Sequence, residues 1–380
     1  MNRRREARRI SSVIASLLVL GLWVALAVMR PPGPDLQEYA AYAAQALAHP
    51  LAAWPREYPP PALGVFLLPR LLPLPYPTAF TLLAALAYGG LLLLRPGPAP
   101  ASADWRFRLL TYTLYGASFV VLRRYDVFAV LPATAAVLAA REGRWRRAWI
   151  LSLVGAWLKV YPVVFWPVFL AAEWAESRRV RLDRLVGAGC ALAAPTVFAA
   201  LYAGPAGRSW LAYLADRPPN LGSFAGDLAA VVTGDWHYRF AYGSLVVTAP
   251  LAVPVATGMA VGGAVLLAIL VRRVARGELG VERGALAAVL TLVLASKVFS
   301  IQYVLWVIPL FALVGPDPVW LLAALLVTWE YPLSYLVALG PEMLRLRALW
   351  ALGANVGFLW SLGRSLASGP SPPVEAAARR

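Results

Sequence analysis

Long apolar runs alternate with short polar loops along the whole chain. Many of these runs are long enough to cross the hydrocarbon core of a bilayer. Backbone groups within hydrocarbon need hydrogen-bond partners inside the segment, so such spans form helices, and the period-two alternation of a membrane barrel is missing. The pattern predicts an all-α, polytopic helical membrane protein with about twelve membrane passes.

The loop charges predict which side each loop faces. Arginines cluster in short loops at 144–147, 178–184 and 272–273, and cytoplasmic loops carry such an excess. The first span, Ile10–Met29, then leaves the N-terminus in the cytoplasm and delivers the chain to a long outer loop at 30–75. That loop carries an interfacial helix at Pro61–Leu72. We expect both termini in the cytoplasm, a membrane domain at 1–364 and a disordered tail at 365–380.

Two apolar runs are expected to fold as short helical pairs. Basic loops flank both sides of the run at 148–172, so it turns back near Lys159–Pro162, and a second pair meets at Ser296–Tyr303. Residues 224–245 are assigned to an outer loop. The other spans are expected at about 77–94, 109–122, 127–140, 185–203, 248–271, 319–338 and 346–362,.

Composition supports a membrane protein. Hydrophobic residues make up 60% of the chain, mean hydropathy is +0.65, and only 14% of residues are charged, where a soluble globular protein has roughly 25%. The formal net charge of +16 could suggest nucleic acid, but its concentration in short loops fits topology instead. We therefore expect membrane lipids and no nucleic acid as partners.

The chain has only two lysines, Lys159 and Lys297, and both lie inside apolar segments. An ionisable residue at membrane depth is costly and indicates a functional site. The alternative is that each lysine reaches the interface through its flexible side chain.

The predicted topology places eight polar residues at one outer level. Cations there could hold a phosphate while a carboxylate accepts a proton from a second reactant. Asp35 is the candidate base, although it could instead cap the helix that follows it. Tyr58 and Tyr161 could stack on sugar rings or serve only as interfacial anchors. The eight residues are Asp35, Glu57, Arg124, Asp126, Lys159, Arg217, Lys297 and Gln302.

Five short motifs occur in order between about Asp35 and Pro309, and together they carry a family resemblance. They are Asp35 with Tyr39 and Tyr42, Tyr58-Pro59-Pro60, Arg124-Tyr125-Asp126, Lys159-Val160-Tyr161-Pro162, and Ser296-Lys297-x-x-Ser300-x-Gln302-Tyr303-x-x-Trp306. This series resembles the glycosyltransferase family 87 branch of the multi-spanning C-type glycosyltransferases. That family includes polyprenol-phosphate-mannose-dependent mannosyltransferases of the bacterial envelope.

The resemblance implies a C-type glycosyltransferase fold and an activity at the outer face of the bacterial cell membrane. A sugar, mannose by family default, would pass from a polyprenyl-phosphate donor to a lipid or glycan acceptor by a single inverting displacement. Asp35 would be the general base. The donor phosphate would bind Lys159, Lys297, Arg124 and Arg217. Other substrate contacts would come from Glu57, Tyr58, Asp126, Tyr161, Gln302 and Tyr303.

The chain departs from the family pattern in the last motif. Lys297 stands where mannosyltransferase members show a proline, and Gln302-Tyr303 stand where they show two histidines. Mannose is therefore the default of the family and is not indicated by these residues.

No metal or cofactor is expected. The chain has no Asp-x-Asp motif, and His49 and His237 are far apart in the sequence, so no ligand cluster is apparent. We expect metal-independent transfer, with the donor phosphate neutralised by arginine and lysine.

Two other functions remain open. A polytopic transporter or lipid flippase for an anionic lipid-linked substrate would also have charges within the membrane. The absence of an inverted repeat and the position of the polar residues at one face argue against it. A scaffold subunit of an envelope-building complex would account for the spans but not for two lysines at helix breaks.

Overall fold

The structure is a computed structural model that describes residues 3–49, 54–96, 99–315, 317–333 and 341–367. Most of these residues are helical. The α-helices are α1 (Arg3–Met29), α2 (Pro34–Ala48), α3 (Ala62–Leu67), α4 (Tyr76–Leu93), α5 (Ala99–Gly116), α6 (Asp126–Arg141), α7 (Trp145–Leu158), α8 (Phe165–Ser177), α9 (Leu182–Ala203), α10 (Ser209–Asp216), α11 (Phe224–Thr233), α12 (Ala252–Ala275), α13 (Val281–Ala295), α14 (Val304–Val314), α15 (Pro318–Leu333) and α16 (Pro341–Ala367). Short 3-10 turns lie at Leu68–Leu71, Tyr161–Val164, Gly204–Arg208 and Ile301–Tyr303.

Four of the described helices are long and apolar enough to cross a membrane. They are Ile10–Met29 within α1, then α4, α9 and α12. Only 11% of the residues of the α1, α9 and α12 segments are buried by protein, against 56% for α4. Three of the four thus present apolar surface outward, as expected of helices in contact with lipid. The chain has the character of a polytopic helical membrane protein.

Both expected helical pairs are confirmed. The first helix break, between α7 and α8, comprises residues 159–164, and the second helix break, between α13 and α14, comprises residues 296–303. Pro162 follows the first helix closely, and proline has no N–H with which to continue an α-helix. Lys159 accordingly has extended dihedral angles, with φ −148° and ψ 128°.

Other expectations from the sequence need correction. The span expected at 109–122 is instead the earlier helix α5, in which Arg106 is buried with Nε donating to the Leu92 carbonyl at 2.8 Å. The segment 224–245 is not simply a loop. It forms α11, which Ser223 caps by accepting from the Gly226 N–H at 3.1 Å,, and the first strand of a hairpin.

The hairpin also corrects the all-α prediction. Strand β1 (Tyr238–Ala241) pairs antiparallel with β2 (Ser244–Val247). Between them, Tyr242 and Gly243 both have positive φ, which is the conformation of a type I′ turn. At the other end of the chain, α16 continues to Ala367, so the predicted tail starts at least three residues too early; residues 368–380 lie outside the described residues.

Close helix packing depends on small residues. A Cβ added at Gly263 of α12 would lie 2.6 Å from the Ala295 Cβ of α13, and one at Gly357 of α16 would lie 2.7 Å from the Ala323 Cβ of α15. Backbones approach closely at such positions, which is the usual way helices associate within membranes. Helix α13 is buried along almost its whole length and forms the centre of the bundle.

The charged residues are divided between the two ends of the helices. At one end, which we call the basic end, Arg141 pairs with Glu282 at 3.8 Å and Arg184 pairs with Glu173 at 2.6 Å. At the opposite end of α6 and α7, Asp126 and Lys159 pair at 3.8 Å. We call this second level the Asp35 end, since Arg124 joins it to Asp35.

Candidate functional site

Asp35 lies in the first turn of α2 but does not cap it. The N-cap is Gly33, Pro34 is the first helical residue, and the cap has no side-chain hydrogen bond. The Asp35 carboxylate instead forms an ion pair with Arg124, whose side chain is 12% exposed against 28% for Asp35. Capping therefore does not explain this carboxylate.

An aromatic cluster fixes α2 against the rest of the protein. The ring of Tyr39, one turn after Asp35, stacks on Phe66 at 4.9 Å and on Phe80 at 5.3 Å. Tyr125, next to Arg124, lies 4.8 Å from Phe66 and 5.0 Å from Tyr58. Because these rings are fully or almost fully buried, they hold both partners of the Asp35–Arg124 pair in register.

A cavity of about 160 Å³ opens beside Asp35. Its polar lining consists of Asp35 and three arginines, namely Arg30, Arg123 and Arg124. The net charge of these four side chains is positive, so the cavity suits an anionic group. We call it the Asp35 cavity.

A second cavity of about 260 Å³ adjoins it and shares Arg30, Phe119 and Arg123 with it. The remainder of its lining is mainly apolar, with Trp23 and Leu26 on α1 and Leu114 on α5. We call this the apolar groove. An anionic head in the Asp35 cavity could therefore continue into an apolar chain in the groove.

Sequence reasoning missed Arg30 and Arg123 as site residues. Arg30 ends the first span, and its guanidinium lies 5.4 Å from the Phe119 ring centroid. Arg123 Nη2 donates to the Arg30 carbonyl at 2.7 Å and to the Ala27 carbonyl at 3.1 Å, and so ties the end of α1 to the loop before α6. Their position beside Asp35 and Arg124 in the predicted outer level was the available signal.

Lys159 lies in a separate, more buried group. Its ammonium is 3.8 Å from Asp126 Oδ1 and 4.5 Å from the ring centroid of Tyr58. Trp306 Nε1 donates to the same carboxylate oxygen at 2.7 Å. Asp126 is fully buried, and its Oδ2 has no hydrogen-bond partner among the described residues.

The aromatic residues of the last two motifs stack on one another. The Trp306 ring lies between Tyr161, at 4.4 Å, and Tyr303, at 4.0 Å. Tyr161 and Trp306 are only 5% and 6% exposed. Both faces of the indole are thus covered by protein, and sugar stacking on it would require the rings to separate.

Glu57 and Arg217 form a third group around Tyr213. The Tyr213 hydroxyl donates to Glu57 Oε1 and contacts the Tyr242 carbonyl at 2.9 Å, and Arg217 Nη2 donates to Ser244 Oγ at 3.0 Å. Burial, followed by the nearby Glu57 charge, raises the pKa of Tyr213 above its ordinary value. The phenol therefore stays a proton donor to Glu57 at neutral pH. Arg217 also lies 5.5 Å from the ring centroid of Tyr213.

Lys297 and Gln302 lie at the second helix break. The Lys297 ammonium donates to the Ala215 carbonyl at 2.6 Å at the protein surface. The amide of Asn220 holds the break itself: Nδ2 donates to the Phe299 carbonyl, and Oδ1 accepts from the Phe299 N–H, both at 2.8 Å. Gln302 is buried, and its Oε1 has no hydrogen-bond partner in the described part of the chain.

The predicted residues thus fall into separate groups, and only part of them line one cavity. Asp35 and Arg124 line the Asp35 cavity. Asp126, two residues after Arg124, belongs to the Lys159 group. Glu57, next to Tyr58, belongs to the Tyr213 group. Lys297 has no contact with Asp35 among the interactions of the described residues. The cations brought to Asp35 are arginines.

The described residues contain no group of three or more His, Cys, Asp or Glu side chains that could hold a metal ion. His237 makes an exposed contact with Asp235 at 2.5 Å, and His49 is the exposed residue after α2. Metal-independent transfer stays a prediction.

Comparison with known proteins finds no matching family model, no matching curated protein and no matching solved structure.

Proposed function

We propose that the chain is a membrane glycosyltransferase that moves a sugar from a polyprenyl-phosphate donor to a lipid or glycan acceptor. The observation that carries the proposal is the Asp35 cavity, where one carboxylate and three arginines meet next to the apolar groove. A phosphate joined to an isoprenoid chain has the matching chemistry: an anionic head beside a long apolar tail. Mannose as the sugar rests on the family resemblance alone.

In this proposal the donor phosphate binds Arg30, Arg123 and Arg124, and the isoprenoid chain lies in the apolar groove against α1. Arginine suits this position because its planar fork can bind two phosphate oxygens at once. Lys159 has a structural partner in the buried Asp126. Lys297 makes its contact with a carbonyl at the surface. Both lysines therefore rank behind the three arginines as candidates for binding the donor phosphate.

Asp35 is the general base in the proposed chemical step. The acceptor hydroxyl oxygen attacks the anomeric carbon, and its proton passes to the Asp35 carboxylate. The bond between that carbon and the phosphate oxygen breaks, and its electron pair leaves with the polyprenyl phosphate. Arginines stabilise the charge that develops on the leaving group. A single displacement of this kind inverts the configuration of the sugar.

The Asp35–Arg124 ion pair bears on how the base would act. Each side chain of the pair neutralises the other. A bound phosphate would offer Arg124 a second anion, which would leave Asp35 available to the acceptor hydroxyl. Binding of the donor and activation of the base would thereby be coupled.

The proposal places the Asp35 end on the extracytoplasmic side of the bacterial cell membrane, in a C-type fold of about twelve passes with both termini in the cytoplasm. Support comes from the gathering of arginine-rich loops at the opposite end of the helices. It also comes from the two helix breaks, which return the chain to the basic end without long spans.

Release of polyprenyl phosphate tests the activity directly. The purified full chain in detergent would be given polyprenyl-phosphate mannose or glucose together with a bacterial membrane lipid extract as acceptor. We expect Asp35→Asn to lower the release rate by about 100-fold or more, since a positioned base contributes roughly that much. The matched control is Glu38→Gln, which changes a carboxylate one turn further along α2 and should keep the rate within about twofold.

Two outcomes would overturn the proposal. Full activity of Asp35→Asn would remove the base. No release from either donor, combined with passage of the intact lipid across proteoliposome membranes, would favour the transporter or flippase.

A further inference from the structure

A basic groove lies at the basic end and takes no part in the proposed reaction. It has a volume of about 580 Å³ and is formed by the turn before α7, the first turns of α7, and Arg184 in the first turn of α9. Its lining combines four arginines with apolar side chains. The lining residues are Gly143, Arg144, Trp145, Arg146, Arg147, Ile150, Leu151 and Arg184.

The turn that forms the groove is firmly held. Gly143 has a φ of +68°, which favours glycine,, and Trp145 Nε1 donates to Glu176 Oε2 at 2.9 Å. Arg184 is paired with the buried Glu173 at 2.6 Å. Trp157 of α7 donates to the Ala191 carbonyl of α9 at 2.9 Å and keeps the two helices together. The walls are therefore set before any ligand arrives.

Two of the four arginines are available to a ligand. Arg144 pairs with Glu142, and Arg184 with Glu173. Arg146 and Arg147 are exposed and have no ion pair with any of the described residues. An anion entering the groove would thus meet uncompensated positive charge.

The wall below the arginines is apolar and open. Ile150, one turn along α7 from Arg146, is 52% exposed. Leu151, the next residue of α7, is half-buried and also lines the groove. A free phosphate ion could use the arginines but would gain nothing from this wall. A phospholipid gains from both, because its phosphate contacts the arginines and its acyl chain contacts the apolar wall.

We propose that this groove binds an anionic glycerophospholipid of the membrane. The phosphate lies against Arg146 and Arg147, and one acyl chain lies along Ile150 and Leu151. Basic grooves between helices at a membrane surface are suited to such head groups. The site lies at the opposite end of the helices from Asp35, so it does not depend on the proposed transferase activity.

Lipid binding to the full chain tests the site. The protein in a neutral detergent would be titrated with phosphatidylglycerol, phosphatidylcholine or inorganic phosphate while bound lipid is counted by native mass spectrometry and the unfolding temperature is followed. We expect phosphatidylglycerol to bind and to raise the unfolding temperature, and neither of the other two ligands to do so. Arg146→Gln with Arg147→Gln should weaken phosphatidylglycerol binding by about 20-fold or more, from roughly fivefold for each arginine.

The matched control removes two charges from the same end outside the groove. Arg179 and Arg272 are exposed and do not line it, so Arg179→Gln with Arg272→Gln should change the affinity by less than about threefold. Equal weakening by both double variants would show general attraction to a basic surface and overturn the site. So would equal binding of phosphatidylcholine, or an inorganic phosphate response as large as that of the lipid.

Discussion

The two helix breaks give the same signal in the sequence but are stabilised in different ways. Each follows a short helix, of 14 residues in α7 and 15 in α13, and each has a lysine at or just after the helix end and then a 3-10 turn. In the first, Lys159 is paired with the buried Asp126. In the second, Lys297 reaches a surface carbonyl, and the neutral amide of Asn220 holds the backbone.

This difference shows that the position of a lysine in an apolar segment does not by itself predict what the lysine does. What decides the role is the partner, which comes from a distant part of the chain. Asp126 begins α6, and Asn220 lies in the loop before α11. Trp306, which follows the second break, links the two, since it stacks on Tyr161 of the first and on Tyr303 of the second.

Removing the charge of Lys159 should have the largest effect on stability. Lys159→Met leaves the fully buried Asp126 carboxylate with the Trp306 indole but without its cation. Loss of one partner of a buried ion pair costs about 3 to 5 kcal/mol. We expect the free energy of unfolding in detergent to fall by about 3 kcal/mol.

The double variant Lys159→Met with Asp126→Asn separates charge from packing, because asparagine keeps an oxygen that can accept from Trp306 Nε1. Because it removes both charges, it should recover most of the lost stability. No recovery would mean that Lys159 acts through its packing on Tyr58 and not through its charge.

Removing the Asn220 amide should have an intermediate effect, concentrated at the second break. Asn220→Ala leaves the buried N–H and carbonyl of Phe299 without their partners, and such groups cost roughly 1 to 3 kcal/mol. We expect a loss of about 2 kcal/mol and much faster hydrogen exchange at the Phe299 amide.

Asn355→Ala serves as a comparison for the Asn220 variant. Its Nδ2 makes a longer contact with the Gly222 carbonyl, at 3.3 Å, and one within its own helix, so the loss should be smaller. Unchanged exchange at Phe299 in Asn220→Ala would contradict the assignment of Asn220 as the residue that holds the second break.

The sequence predicted the helix breaks well because their signals are local. Basic loops on both sides of one apolar run require an even number of crossings, and Pro162 marks where the chain turns. The grouping of polar residues at one level followed from the same loop charges. Asp126 and Lys159 lie at one level because α6 and α7 are joined by the basic turn at the other end.

The sequence alone could not predict which side chains pair with one another within that level. Asp35 pairs with Arg124 and not with a lysine because the rings of Tyr39, Phe66 and Tyr125 set the distance between α2 and α6. The hairpin was missed because residues 224–245 mix polar and aromatic residues without a clear period. Helix α5 was placed too late because Arg106 interrupts its apolar pattern, although the side chain is buried and donates to the Leu92 carbonyl.

Removing the charge of Lys297 should have the smallest effect, and it decides between two locations for the donor phosphate. Lys297→Met loses a single contact with the Ala215 carbonyl at the surface, so we expect stability to change by less than about 1 kcal/mol. If the donor phosphate binds Arg30, Arg123 and Arg124, the rate of polyprenyl phosphate release should stay within about threefold of the wild type. A rate lowered by about 100-fold in a protein of unchanged stability would place Lys297 at the phosphate. The arginines beside Asp35 would then hold the acceptor instead, because a carboxylate that deprotonates the acceptor must stay within hydrogen-bond reach of it.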